Sequence, residues 1–180
     1  GGSCFPKDVK ALIQTAAENS IDMKLIKAAE EVNYKQKRIL VSKITNELGE
    51  DLSKKTFAVW GLAFKARTDD MREASSIVII EELLKRGAKI SAFDPEAMDE
   101  AKKIFGKKIK YAENQYAALN KADALVIITD WNEFRKPDFE KMIKLLKKRL
   151  IFDGRNLLDL NEIKKYNFIY HSIGLRTIRP

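Results

Sequence analysis

From Lys54 onward the sequence alternates apolar runs with segments at helical spacing, and this alternation constrains the fold more than any other feature. Runs such as TFAVWGLAF, AKISAFDP, DALVIITDW, LIFDGRN and NFIYHSIG predict strands, KIKYA predicts a short strand, and SSIVIIEELLKRG predicts a helix that ends at Gly87. Strands that alternate with helices predict an α/β fold with a doubly wound, parallel, Rossmann-like sheet. Continuous apolar strands such as ALVII fit a sheet that is covered on both faces.

The segment before Lys54 is of a different kind, because it reads as helix with little interruption. A first helix is expected to begin at Pro6, with Asp8 in its first turn, and to break at Asn19-Ser20 with Asp22 just inside the next helix. A second helix of about thirty residues then runs to Gly49, which is expected to cap it.

This second helix is longer than usual for a globular protein, so it needs a partner to cover its apolar stripe. It is either an ordinary core helix or a scaffold that pairs with a second copy of the chain, and we favour a homodimer through this helix. The predicted domains are residues 1–49, a central helical dimerisation region, and residues 50–180, a Rossmann-like domain.

Ligands of doubly wound sheets bind at the carboxyl ends of the strands. The residues expected at this edge are Phe64-Lys65, Asp94, Thr129-Asp130-Trp131 and Asp153-Gly154-Arg155. The first turn, GLAFKARTDDMRE, lacks the glycines of a dinucleotide-binding loop. Its cations Lys65, Arg67 and Arg72 either bind a phosphate through their side chains or merely solvate the loop.

Composition excludes several classes of protein. One Cys and one His leave no disulfide framework and no usual zinc site, so no metal is expected, and the single Cys fits a reducing compartment, the cytoplasm. The net charge of +8 raises nucleic acid as a partner, but the lysines are interleaved with Glu as on solvated helices. Nucleic acid is therefore not expected as a partner. No apolar run approaches the roughly 18 residues of a membrane span, so a membrane is not expected as a partner either.

Four motifs together resemble the UDP-glucose/GDP-mannose dehydrogenase family. They are GGSCFPKD at the start of the chain, GLAFKARTDDMREASS after the first strand, DWNEF after the third long strand, and FDGRN after the fourth. The resemblance covers nearly the whole chain. It implies a C-terminal part of such an enzyme, without the N-terminal domain that holds most of the NAD.

The resemblance implies a two-step, NAD-dependent oxidation of UDP-glucose to UDP-glucuronate. Cys4 would be the nucleophile that forms a thiohemiacetal and then a thioester, and Asp8 would hold the hydrolytic water. Independently of the family, Cys4 precedes a predicted helix start and is followed by Lys7, and both features favour a thiolate. Without the NAD-binding domain, this part of the enzyme is expected to be inactive alone.

The resemblance also implies which residues bind substrate and cofactor. The expected contacts to the UDP-sugar are Gly1, Phe5, Phe64, Lys65 and Arg155, and those to NAD are Lys7 and Arg72.

Three alternatives remain open from the sequence. The substrate could be GDP-mannose rather than UDP-glucose, because the motifs are similar. The chain could be a nucleotide-binding or dimerisation module without chemistry of its own. Least expected is a basic nucleic-acid-binding protein.

Overall fold

A computed structural model of the chain describes the backbone from residue 4 and the side chains from residue 6. The helices within that range are α1 (Cys4–Glu18), α2 (Lys24–Gln36), α3 (Ile39–Leu48), α4 (Ser75–Lys85), α5 (Met98–Phe105), α6 (Gln115–Leu119), α7 (Phe139–Leu145) and α8 (Leu160–Lys165). The strands are β1 (Thr56–Trp60), β2 (Lys89–Phe93), β3 (Lys110–Tyr111), β4 (Ala124–Ile127), β5 (Leu150–Asp153) and β6 (Ile169–Ser172).

The six strands form one sheet in the order β3-β2-β1-β4-β5-β6. Every neighbouring pair is parallel, as the alternation of strands and helices predicted. The strand order reverses between β1 and β4. A crevice is expected outside the carboxyl ends of these two strands, because the connections leave them in opposite directions.

Alternate side chains of β1 build the two hydrophobic cores that cover the sheet. Phe57 and Val59 are fully buried in the core on one face, with residues of α3, α4 and α5. Ala58 and Trp60 are fully buried on the opposite face, with residues of α6, α7 and α8. Burial of a large apolar side chain contributes about 1.5–3 kcal/mol, so both faces stabilise the sheet. The predicted α/β class with a doubly wound sheet is confirmed.

The helix predicted up to Gly49 is wrong in one respect, because the structure has two helices there. Helix α2 ends at Gln36, and Lys37 and Arg38 form a turn before α3 begins. The apolar stripe did not reveal the turn, because α3 buries its apolar residues against the sheet whereas α2 has no buried residue at all. Gly49 caps α3 with a φ of 86°, as predicted.

Helix α3 belongs to the packing of the sheet. Its residues Leu40, Val41 and Ile44 are buried in the same core as Phe57 and Val59. The division of the chain at residues 49 and 50 stays a prediction, and the shared core joins α3 to the region that follows it. No helix among residues 4–180 combines the length and the hydrophobicity needed to cross a membrane.

The ends of the first helices also differ from the prediction. Helix α1 includes Cys4 rather than beginning at Pro6, so Asp8 lies beyond its first turn. Proline tolerates any position of the first turn, so Pro6 does not fix the first helical residue. The break at Asn19-Ser20 is confirmed, but α2 begins only at Lys24, which leaves Asp22 outside the helix.

Helix α8 was not predicted. It is six residues long and begins after Asp159, whose side chain accepts a hydrogen bond from the Asn161 N–H at 2.8 Å. Such a short helix carries almost no periodic signal in the sequence.

Candidate functional site

A cleft of about 320 Å³ opens at the carboxyl edge of the sheet, where the strand order reverses. It is lined by residues at the sheet edge, by the start of α4, and by a wall formed by the end of α2 and the start of α3. The residues that line it are Asn33, Gln36, Lys37, Leu40, Phe64, Ser75, Ile79, Ile128, Gly154, Arg155 and Ile173.

Arg155 is fixed across the floor of the cleft. Its Nε donates to the carbonyl oxygen of Ile128 at 2.5 Å, and its Nη2 donates to that of Phe64 at 3.3 Å. The two carbonyls follow β4 and β1. The guanidinium therefore ties both strand ends together and still has N–H groups with which to bind an anion.

Asp153 shapes the loop that carries Arg155. Its fully buried carboxylate accepts hydrogen bonds from the backbone N–H groups of Arg155 at 2.8 Å and Leu157 at 2.7 Å. It also accepts the hydroxyl of Tyr170 at 2.8 Å. Burial, and secondly the nearby Asp153 carboxylate, raise the pKa of Tyr170, so the phenol stays protonated and keeps donating. Asp153 thus has a structural role beneath the site.

Asp94, at the end of β2, has no exposed surface. Its Oδ2 accepts from the N–H groups of Leu62 at 2.6 Å and Ala63 at 3.1 Å, and from Trp131 Nε1 at 3.1 Å. Its Oδ1 accepts two further backbone N–H groups, at positions 96 and 97. Asp94 therefore stabilises the turn after β1, and its oxygens are already used.

The turn after β1 packs too tightly to hold a dinucleotide in the standard way. Gly61 has a φ of 90°, and a Cβ placed there would lie 2.4 Å from the Cβ of Thr129. The hydroxyl of Ser76 donates to the carbonyl oxygen of Leu62, which closes the turn further. With Asp94 also engaged, the residues of this sheet edge do not fit the pyrophosphate and ribose of NAD.

The structure brings together two of the predicted substrate contacts, Phe64 and Arg155, which both line the cleft. Lys65 lies beside them but is exposed and does not line the cleft, and its ammonium is 5.2 Å from the centre of the Phe64 ring.

The predicted cofactor contacts lie elsewhere. Arg72 is exposed, and its guanidinium binds the Asp70 carboxylate through two hydrogen bonds of 3.0 and 2.8 Å. Lys7 and Asp8 are exposed on α1 and do not line the cleft. Gly1 lies outside the described residues, and so do the side chains of Cys4 and Phe5.

The wall formed by α2 was not predicted from the sequence. It places Asn33, Gln36 and Lys37 in the cleft. The Lys37 ammonium pairs with Glu73 at 2.9 Å, and Lys10 of α1 lies 3.7 Å from the other oxygen of that carboxylate. These lysines, Lys37 foremost, lower the pKa of Glu73. No sequence signal singled out these residues, because the helix predicted from the sequence ran through them to Gly49.

Metal chemistry has no support in this region. Among the described residues, no group of three or more His, Cys, Asp or Glu side chains is placed to hold a metal ion.

Two family models match the chain. The UDP-binding domain of the UDP-glucose/GDP-mannose dehydrogenase family matches residues 58–160, and the central domain of the same family matches residues 1–35. The chain belongs to this family. The first match contains all the strands from β2 to β5 and most of the cleft.

Similar proteins agree with this membership. The chain is 43% identical over 179 residues to UDP-glucose 6-dehydrogenase TuaD of Bacillus subtilis, which covers 99% of the chain and 39% of that protein. It is 41% identical to the UDP-glucose 6-dehydrogenase of Rhizobium meliloti, covering 97% of the chain and 40% of that protein. The chain therefore spans about two fifths of the length of these curated relatives.

A solved structure of the family has the same fold. The UDP-glucose dehydrogenase of Pyrobaculum islandicum superposes with a TM-score of 0.84 at 31% identity, covering 98% of this chain and 38% of that one. The six-stranded parallel sheet with its flanking helices is thus the fold of the family's C-terminal region.

Proposed function

We propose that this chain is the UDP-sugar-binding part of a UDP-glucose 6-dehydrogenase. The observation that carries the proposal is the cleft at the carboxyl edge of the sheet, whose floor residues Phe64 and Arg155 both lie in the region that matches the family's UDP-binding domain. An aromatic ring and a fixed guanidinium suit a ligand with a base at one end and a diphosphate at the other. Lys65, next to the cleft, adds a positive charge that favours the diphosphate.

The proposed reaction oxidises the C6 alcohol of the sugar first to an aldehyde and then to a carboxylate. The Cys4 thiolate adds to the aldehyde carbon to give a thiohemiacetal, and loss of a hydride and a proton gives a thioester. Water then cleaves the carbon–sulfur bond and releases the carboxylate and the thiol. Asp8 is proposed to orient this water. These roles rest on the family resemblance of the GGSCFPKD motif.

NAD is the proposed hydride acceptor in both oxidations. Since the edge of this sheet does not fit a dinucleotide, we propose that NAD is bound mainly by a domain of the relatives that this chain does not span, with Lys7 and Arg72 as peripheral contacts. On this proposal the chain is inactive alone. A protein with these substrates would work in the cytoplasm.

The proposal is tested by calorimetric titration of the chain with UDP-glucose and, separately, with GDP-mannose. We expect heat with UDP-glucose and none with GDP-mannose. Arg155→Ala should weaken UDP-glucose binding at least tenfold, since it removes a charged hydrogen-bonding group. The matched control is Arg149→Ala, because Arg149 is an exposed arginine whose side chain, among the described residues, binds only the carbonyl oxygen of Tyr166.

A preference for GDP-mannose would contradict the proposed substrate and support the alternative within the family. Equal losses in the two arginine variants would contradict the proposed site. A second candidate, a binding module without chemistry, is tested on Cys4 by measuring its alkylation with iodoacetamide. Alkylation no faster than that of free cysteine would contradict the nucleophile.

A further inference from the structure

The end of helix α2 presents two amide side chains to the cleft, and neither lies in the four short motifs that resemble the family. Asn33 and Gln36 line the cleft together with Ser75 and Ile79 of α4. Within the described part of the chain, neither amide makes a side-chain hydrogen bond. Each therefore has both donor and acceptor groups open to a ligand.

The two cations that line the cleft, unlike the amides, already have hydrogen-bond or ion-pair partners. Lys37 lies one residue beyond Gln36, but its side chain is only 14% exposed and its ammonium is paired with Glu73 at 2.9 Å. Arg155 is held by two backbone carbonyls on the floor and is the cation best placed for a diphosphate. The α2 wall therefore offers neutral rather than charged recognition.

Neutral amides recognise neutral partners by hydrogen bonds in both directions. In a nucleoside diphosphate these partners are the imide edge of the base and the hydroxyls of the ribose. A base that stacks near Phe64 would have its polar edge and the ribose directed to a wall of the cleft. We propose that Asn33 and Gln36 bind the nucleoside part of the ligand directly and so contribute to its selection. This inference rests on the proposed function.

The Glu73 carboxylate positions this wall. It lies in the loop between β1 and α4, with a φ of 57°, and it pairs with Lys37 after α2 and with Lys10 of α1. These pairs connect the two N-terminal helices to a loop of the sheet domain. Removing the Glu73 charge should free the end of α2 and loosen the placement of both amides.

The experiment compares binding of UDP, UDP-glucose and inorganic pyrophosphate by NMR titration of the 180-residue chain. The double variant Asn33→Ala/Gln36→Ala should bind UDP and UDP-glucose about tenfold more weakly, since it loses two hydrogen bonds, and should bind pyrophosphate as the wild type does. Glu73→Gln should weaken UDP binding in the same selective way, to a smaller extent.

The matched control is Glu31→Gln, which breaks the exposed ion pair of 2.5 Å between Glu31 and Lys35 on the same helix but away from the cleft. It should leave all three affinities unchanged, and thermal unfolding of each variant checks that the fold is retained.

The outcomes separate this inference from the proposed function. If the wild type does not bind UDP, the proposed function fails for this chain and the inference fails with it. If the wild type binds UDP and the double variant binds it equally well, the inference alone is overturned. A loss of pyrophosphate binding in the same proportion as UDP would also overturn it, because the amides would then act on the phosphates.

Discussion

At Gly61 the backbone after β1 passes close to Thr129, which follows β4. Its φ of 90° is strained for any residue with a Cβ, and the added atom would lie 2.4 Å from Thr129 Cβ and 2.6 Å from Thr129 N. We expect Gly61→Ala to lower the free energy of unfolding by about 3 kcal/mol or more, measured by urea denaturation.

Gly49→Ala is the matched control for that substitution. Gly49 has a similar φ of 86° but no atom within 4 Å of the added Cβ, so only the backbone strain applies and the loss should be about 1 kcal/mol. Equal losses in the two variants would show that the approach to Thr129 is not what requires glycine at position 61.

Asp94 is a second single residue on which stability should depend. Asp94→Asn replaces a carboxylate that accepts five N–H groups by an amide that can accept at only one atom, so donors are left facing donors. The free energy of unfolding should fall by about 3 kcal/mol. At the exposed N-cap Asp138, which accepts one N–H from Lys141, the same change should cost less than about 1 kcal/mol.

At the scale of the element, the C-terminal segment fastens β6 to α3. The backbone groups of Tyr170 and Ile178 exchange two hydrogen bonds of 3.0 Å, and Arg179 binds Glu47 of α3 through both carboxylate oxygens. In the same region His171 stacks on Phe152, with ring centres 4.8 Å apart. The chain has one histidine, so this cluster contains its only imidazole.

Because His171 is buried in this cluster, we expect the free energy of unfolding to depend on pH. Burial lowers the pKa of His171 below 6.5, against the attraction of Glu47 and together with the repulsion of Arg179 and Lys43. The unfolded chain therefore takes up a proton more readily than the folded one. The stability that the neutral His171 contributes is fully present above pH 6.5, and it is lost as the pH falls through the lower pKa of the folded state.

The measurement is urea denaturation at pH 7.5 and at pH 5.5. The free energy of unfolding should be lower at pH 5.5 in the wild type and should lose this difference in His171→Phe. The opposite slope, with greater stability at pH 5.5, would mean that Glu47 stabilises the imidazolium more than burial destabilises it.

At the scale of the whole molecule, helices α1 and α2 present apolar side chains that the described residues leave uncovered. In α2, Leu25 is 86% exposed and Val32 is 64% exposed, and no residue of this helix is buried. We propose that a second copy of the chain covers this face. The support is the exposed apolar surface, since the single long helix from which a dimer was expected is two helices. Sedimentation over a range of concentrations should show association.

Leu25→Asp should weaken this association about tenfold or more, since it places a charge in an apolar contact. Leu175→Asp is the control, because Leu175 is 49% exposed but lies in the C-terminal segment. Equal association of Leu25→Asp and the wild type, or a wild type that stays monomeric at high concentration, would contradict the dimer.

The sheet could be read from the sequence because its central strands, β1 and β4, are almost continuously apolar, and hydrophobic burial is a property of short local segments. The floor of the cleft followed from it, since Phe64 and Arg155 come directly after predicted strands. The α2 wall could not be read in the same way. It depends on the turn at Lys37 and Arg38, and that turn exists because α3 packs on the sheet while α2 does not.

By itself the sequence determined the α/β class, the edge of the sheet at which the cleft opens, and the resemblance to the family. These depend on periodicity and on motifs within short segments. Only the tertiary structure decided that Asp94 and Asp153 support loops rather than bind a ligand, and that Asn33 and Gln36 line the same cleft as Arg155. A carboxylate at the end of a strand can either bind a ligand or support a loop, and the sequence looks the same in both cases. The backbone N–H groups that fold around the carboxylate decide between the two roles.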